Sequence, residues 1–148
     1  MSLLGKLYNR SWKERRTLLL AFLLLGVTKA ALALLPFRTV LRLVDRAGRP
    51  SRRVRGPDHL DRWTWALTVA GNRLLPGHPC LPQALVAHVV FRRAARPAQL
   101  RIGARRDPST GIVAHAWVES EGRVVIGDVD ERDAYVPFPP IPTSPRDG

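Results

Sequence analysis

The 148-residue chain holds a single cysteine, Cys80, so no internal disulfide can form. That scarcity fits a reducing compartment, and the localisation read from it is cytoplasmic. It also leaves a free thiol, either buried and inert or reactive. Acid is scarce: 12 Asp and Glu stand against 24 Lys and Arg, for a net charge of +12. Lysine is limited to Lys6, Lys13 and Lys29, so the charge is almost all arginine. Such a balance suits polyanions in general. No basic run is interleaved with aromatics, and no recognition-helix or zinc-finger pattern is present, so nucleic-acid binding is not expected. No glycine-rich phosphate loop occurs, so any ATP dependence must come from elsewhere and no cofactor is expected. What remains is a chain 45% hydrophobic and long enough to bury one core.

Ser11 with Glu14 three residues on has the form of a capping box before a helix. An apolar block follows from Leu18, is interrupted by Thr28 and Lys29, and resumes from Ala30 to Leu35 before Pro36. It is read as two buried helices forming a hairpin on a soluble core. A spanning helix must tolerate Lys29 near its middle at roughly 2.5–3.5 kcal/mol. Ala31-Leu32-Ala33 imitates a signal-peptide exit, so a cleaved signal and membrane association stay open. Phe37 to Val44 reads as a basic amphipathic helix with Arg38, Arg42 and Arg46 outward. Ala47 to Pro57 reads as a linker. Asp58 is expected to cap a helix from His59 to Leu75, with Leu60, Trp63, Leu67, Val69 and Ala70 facing the core. After the Pro76-Gly77-His78-Pro79 break, a helix is expected from Cys80 to Arg93, with Pro82 in its first turn. Three strands follow, over Leu100–Arg105, Ile112–Glu119 and Arg123–Val129. The proline-rich segment from Pro137 to Gly148 reads as a frayed tail. The organisation is therefore a helical region over 1–50, a core over 51–137 and a flexible tail over 138–148. The fold class is α+β, with the Cys80 helix packed on a small antiparallel sheet.

Three residues carry the chemistry. Cys80 stands at a helix start, where free N–H groups and the macrodipole favour a thiolate. Its own N–H can also help bind an oxyanion. Ser120-Glu121-Gly122-Arg123 has the form of a two-residue hairpin turn. With Ser120 facing Arg123, Glu119 pairs with Val124, Trp117 with Ile126, and His115 with Asp128. Directly opposed side chains lie about 4.5–5.5 Å apart, so Asp128 could accept from the imidazole and fix its tautomer. Asp130, diagonal on the same face, is the reserve. A nucleophilic cysteine, a general base and an orienting carboxylate are the parts of a thiol protease. The bland readings are a buried cysteine, a core histidine and a turn aspartate. His59 reads as a surface residue, His78 as a neighbour of Cys80 pointing elsewhere and His88 as packed in its helix. Cys80, His78 and His115 match no usual zinc spacing.

At Cys80-Leu81-x-Gln83-Ala84-Leu85 and His115-Ala116-Trp117-Val118-Glu119 the sequence resembles the transglutaminase-like cysteine proteases of lasso-peptide biosynthesis. These are the leader peptidases, the second B protein where that function is split over two chains. Leu34 to Arg38 looks like the family's N-terminal helical part. The resemblance implies a transglutaminase/papain-like core, with Cys80 as nucleophile, His115 as general base and Asp128 as orienting residue. It implies removal of the leader from a ribosomally made precursor peptide. The core peptide's new amino terminus is then cyclised by a separate ATP-dependent enzyme, the lasso cyclase, itself a candidate partner. A small leader-recognition protein would deliver the precursor, since no segment before the helices reads as that module. Gln83 and Asn72 are candidates for the second oxyanion donor. The competing readings are a transglutaminase-type acyl transferase with the same triad, and a non-enzymatic helical membrane-associated or scaffold protein.

Overall fold

The computed structural model describes residues 10–51, 56–77, 79–128 and 134–139. Helix α1 spans Trp12–Leu34 and opens on the expected capping box. Ser11 Oγ accepts from the Glu14 N–H, and the Glu14 carboxylate accepts from the Ser11 N–H at 2.9 Å. The expected hairpin is not formed: α1 is one continuous helix. Thr28 does not break it because its hydroxyl donates back to the Leu24 carbonyl at 2.7 Å. Lys29 is exposed and costs the helix nothing. The turn comes only at Leu35-Pro36, where proline ends the run.

Helix α2, Phe37–Ala47, is the expected basic amphipathic helix, burying Val40 and Val44 and leaving Arg38, Arg42 and Arg46 exposed. Helix α3 spans Pro57–Leu74. Its cap position is Gly56 rather than Asp58, because Pro57 is already suited to the first helical position. Helix α4 spans Cys80–Arg93, as its sequence predicts. It is buried almost continuously from Pro82 to His88, with α1, α2 and α3 against it on one side and the sheet on the other. Asp45 on α2 accepts from Arg92 on α4 at 2.9 Å and ties the two helices together.

The sheet is antiparallel, in the order β3-β2-β1-β4, from strands β1 Gln99–Asp107, β2 Gly111–Ser120, β3 Arg123–Ile126 and β4 Val136–Pro137. Asp107 builds the β1–β2 turn, accepting from the Ser109 and Thr110 N–H groups and the Ser109 hydroxyl. These bonds hold its carboxyl well below the usual carboxylate range. The β2–β3 turn has positive φ at both Glu121 and Gly122, the twist-matched two-residue type.

Ser120 pairs with Arg123 and Glu119 with Val124, as expected. Beyond them the register shifts: Ile126 pairs with Val118, not with Trp117, and Val125 is the extra residue of a β-bulge. The expected opposition of His115 and Asp128 is therefore overturned, and Asp128 lies past the end of the ladder. The short β4, at the end of the expected core, is not among the three strands the sequence predicts. It pairs with Gly103 and Ala104, and the Phe138 N–H donates to the Ile102 carbonyl at 2.8 Å. One continuous core runs from Leu18 and Leu25 on α1 through Leu67 and Leu85 to Val118 and Ile126. Among the described residues the architecture is four helices on a four-stranded antiparallel sheet, an α+β fold.

Candidate active site

The N-terminus of α4 opens onto a groove of about 590 Å³ between α3 and the β2–β3 edge of the sheet. Cys80, His115 and Asp128 all line it. Cys80 is the first residue of α4 and is partly exposed. Pro79 before it offers no side-chain cap, so the positive end of the helix faces the thiol's surroundings.

His115 sits half-buried on β2. Its Nε2–H donates to the Gly127 carbonyl at 2.6 Å. A carbonyl can only accept, so this bond places the proton on Nε2 and leaves Nδ1 as the basic nitrogen. The bulge at Val125 makes this contact possible. It carries the chain back over β2, where Gly127 takes φ +80°. A Cβ at Gly127 would lie 2.7 Å from the Ala116 carbonyl oxygen, so only glycine fits.

Two rings hold the imidazole plane. Trp117 stacks at 5.9 Å with 17° between planes, and Tyr135 lies tilted at 5.4 Å. Trp117 is in turn fixed by its indole N–H, which donates to Glu119 at 2.9 Å, and Glu119 also pairs with Arg101. The Trp117 ring runs over Gly103, where a Cβ would meet it at 3.0 Å. His115, Trp117 and Glu119 thus act as a unit along one strand. Sequence reasoning singled out the motif but assigned no role to Trp117, Tyr135 or Gly127. Glycine straight after an apolar strand was the available signal for Gly127. Tyr135 gave none, because its approach depends on the placement of β4.

Asp128 is exposed on the rim of the groove, where a second groove lined by Trp117 and Glu119 also reaches it. Asp130 and His78 lie outside the described residues. Asn72 lines the groove and is exposed. Gln83 also lines it, but its side-chain amide donates to the Leu67 carbonyl at 3.0 Å and leans toward that of Thr68. Its donors are spent on α3, so it is corrected from oxyanion candidate to a brace between α3 and α4. His88 is packed, as expected: it is 1% exposed with neither ring nitrogen partnered. Desolvation, with Arg92 beside it and Asp45 opposing, pulls its pKa down to about 4.

A thiol at a helix N-terminus and an imidazole whose Nδ1 carries no proton, both on residues lining one open groove, are the equipment for acyl transfer through a thioester. No curated protein and no solved structure matches the chain. Comparison with protein families matches residues 22–139, most of α1 through β4, and by that match the chain belongs to the Transglutaminase-like superfamily.

Proposed function

We propose that the chain is a cysteine protease that removes the leader from a ribosomally made lasso-peptide precursor. The observation that carries the enzymatic reading is the Nε2–H bond from His115 to Gly127, which leaves Nδ1 as a base on the groove Cys80 lines. The leader-peptidase reading rests on the Cys80-Leu81-x-Gln83 and His115-Ala116-Trp117-Val118-Glu119 motifs.

In the proposed reaction the Cys80 thiol proton passes to His115 Nδ1 and the sulfur attacks the scissile carbonyl carbon. The Cys80 N–H and the Asn72 side-chain amide receive the oxyanion. The C–N bond then breaks, and His115 returns the proton to the leaving amine, the new amino terminus of the core peptide. Water enters the open groove and gives a proton to Nδ1 as its oxygen attacks the thioester. The leader leaves with a free carboxylate and the thiol is restored. Asp128 on the rim supports the transient imidazolium electrostatically. A leader-recognition protein delivers the precursor, and the lasso cyclase takes the product.

The test is mass spectrometry of a matched precursor peptide incubated with the protein and its leader-recognition partner. Cleavage at one leader–core bond, absent with Cys80→Ala and with His115→Ala, is expected. An intact peptide in the presence of folded, partner-bound wild-type protein overturns the reading. A product carrying an amine in place of water redirects it to acyl transfer.

A further inference from the structure

We infer that the outer face of α1 docks side-on to an anionic lipid bilayer. A surface helix ordinarily alternates an apolar face with a polar one. Helix α1 does not. Its inner face buries Leu18, Ala21 and Leu25 in the core, the last two at 0% exposure. Its outer face carries Leu19, Leu23, Val27 and Leu34 at 70, 61, 58 and 81% exposure. Spacings of four, four and seven residues put these side chains in one line along the helix. From Leu19 to Leu34 that line contains no charge, since Lys29 falls roughly a third of a turn from its centre. Contiguous exposed apolar surface of this kind marks an interaction site.

What lies at its start identifies the surface it fits. Trp12 is 77% exposed, and Lys13 and Arg16 beside it are exposed. Tryptophan and basic side chains are the groups that settle at the headgroup level. The chain's +12 charge draws it to an anionic leaflet and, by like-charge repulsion, opposes pairing of two copies through this strip. The helix is long and apolar enough to span, but spanning would tear Ala21 and Leu25 from the core. It would also draw α3, with Asp58, Asp61 and Arg62, beside it into hydrocarbon. Lying in the interface, with the inner face still on the domain, satisfies both faces.

Flotation of the full-length protein with vesicles tests this independently of the proteolysis proposed above. Vesicles of phosphatidylcholine with roughly 30% phosphatidylglycerol are compared with phosphatidylcholine alone, so that only the anionic headgroups differ. The wild type is expected to float with the anionic vesicles and much less with the neutral ones. The triple variant Leu19→Glu, Leu23→Glu, Val27→Glu changes only exposed positions, and circular dichroism checks that it folds. Its partitioning is expected to fall about tenfold or more. Lys13→Gln with Arg16→Gln keeps the apolar strip and should lower binding to anionic vesicles alone. Wild-type protein that stays in the soluble fraction with both vesicles overturns the inference. So does triple-variant binding equal to wild type. A wild-type dimer in light scattering that the triple variant abolishes, without vesicle binding, also overturns it and assigns the strip to a second copy.

Discussion

At the residue scale the unusual feature is that a backbone carbonyl, that of Gly127, accepts the hydrogen bond from His115 Nε2–H. In triads where a carboxylate alone orients the imidazole, its amide variant costs roughly 10⁴-fold in turnover through the wrong tautomer. Here a carbonyl cannot donate, so Asp128→Asn cannot flip the tautomer through that bond. Asp128→Asn is therefore expected to lower kcat by no more than about 100-fold, while Cys80→Ala and His115→Ala each lower it by at least about 1,000-fold. A kcat series on the precursor peptide checks this, and an Asp128→Asn loss equal to that of His115→Ala would return the orienting role to the carboxylate. Gly127→Ala is the complementary variant. It places a Cβ against the Ala116 carbonyl at a positive φ, a conformation costing on the order of 1–3 kcal/mol. Loss of turnover is expected there, along with a lower midpoint in urea.

Among the elements, the start of α4 positions the nucleophile, and its brace can be broken without touching the thiol. Gln83 fills the space above Gly71, and any side chain there must displace it. Gly71→Ala is expected to destabilise the fold by about 1–3 kcal/mol, since the buried Leu67 carbonyl loses its side-chain donor. Denaturant unfolding measures the cost, and slowed alkylation kinetics of Cys80 relative to the wild type would report its displacement. Helix α4 was legible to the residue because a Pro-Gly break, a first-turn proline and an apolar run agree. The β2–β3 turn was legible for the same reason. The bulge was not. Val124, Val125 and Ile126 are all apolar, so the alternation that pins a strand's register is missing where the register slips. The groove's cysteine and histidine were thus readable from local signals, and the imidazole's partner was not. Helix α1 misled for a different reason. Thr28 and Lys29 look like an interruption in composition, but neither prevents helical backbone.

For the whole molecule, the buried imidazole of His88 sets an acid limit on stability. His88 is enclosed with neither nitrogen bonded, and Arg92 adds repulsion that Asp45 only offsets. Its folded pKa is about 4 against the ordinary 6.5. As pH falls through about 6.5 the unfolded chain takes up the proton and the folded chain does not. The unfolded state then binds more protons, so stability drops until the folded histidine also protonates near pH 4. The contribution is fully present above pH 6.5 and is lost across the window below it, by about 3 kcal/mol. Asp107 and Glu14 have lowered values, so their contributions are lost only below the ordinary carboxylate range. The two effects therefore separate on the pH axis. Urea unfolding at pH 7.5 and pH 5 should show the wild type markedly weaker at pH 5. His88→Leu removes the titrating group with similar volume in an apolar setting and should flatten the change over this window. An equal slope in His88→Leu would assign the acid sensitivity to other groups and leave His88 neutral for reasons of packing alone.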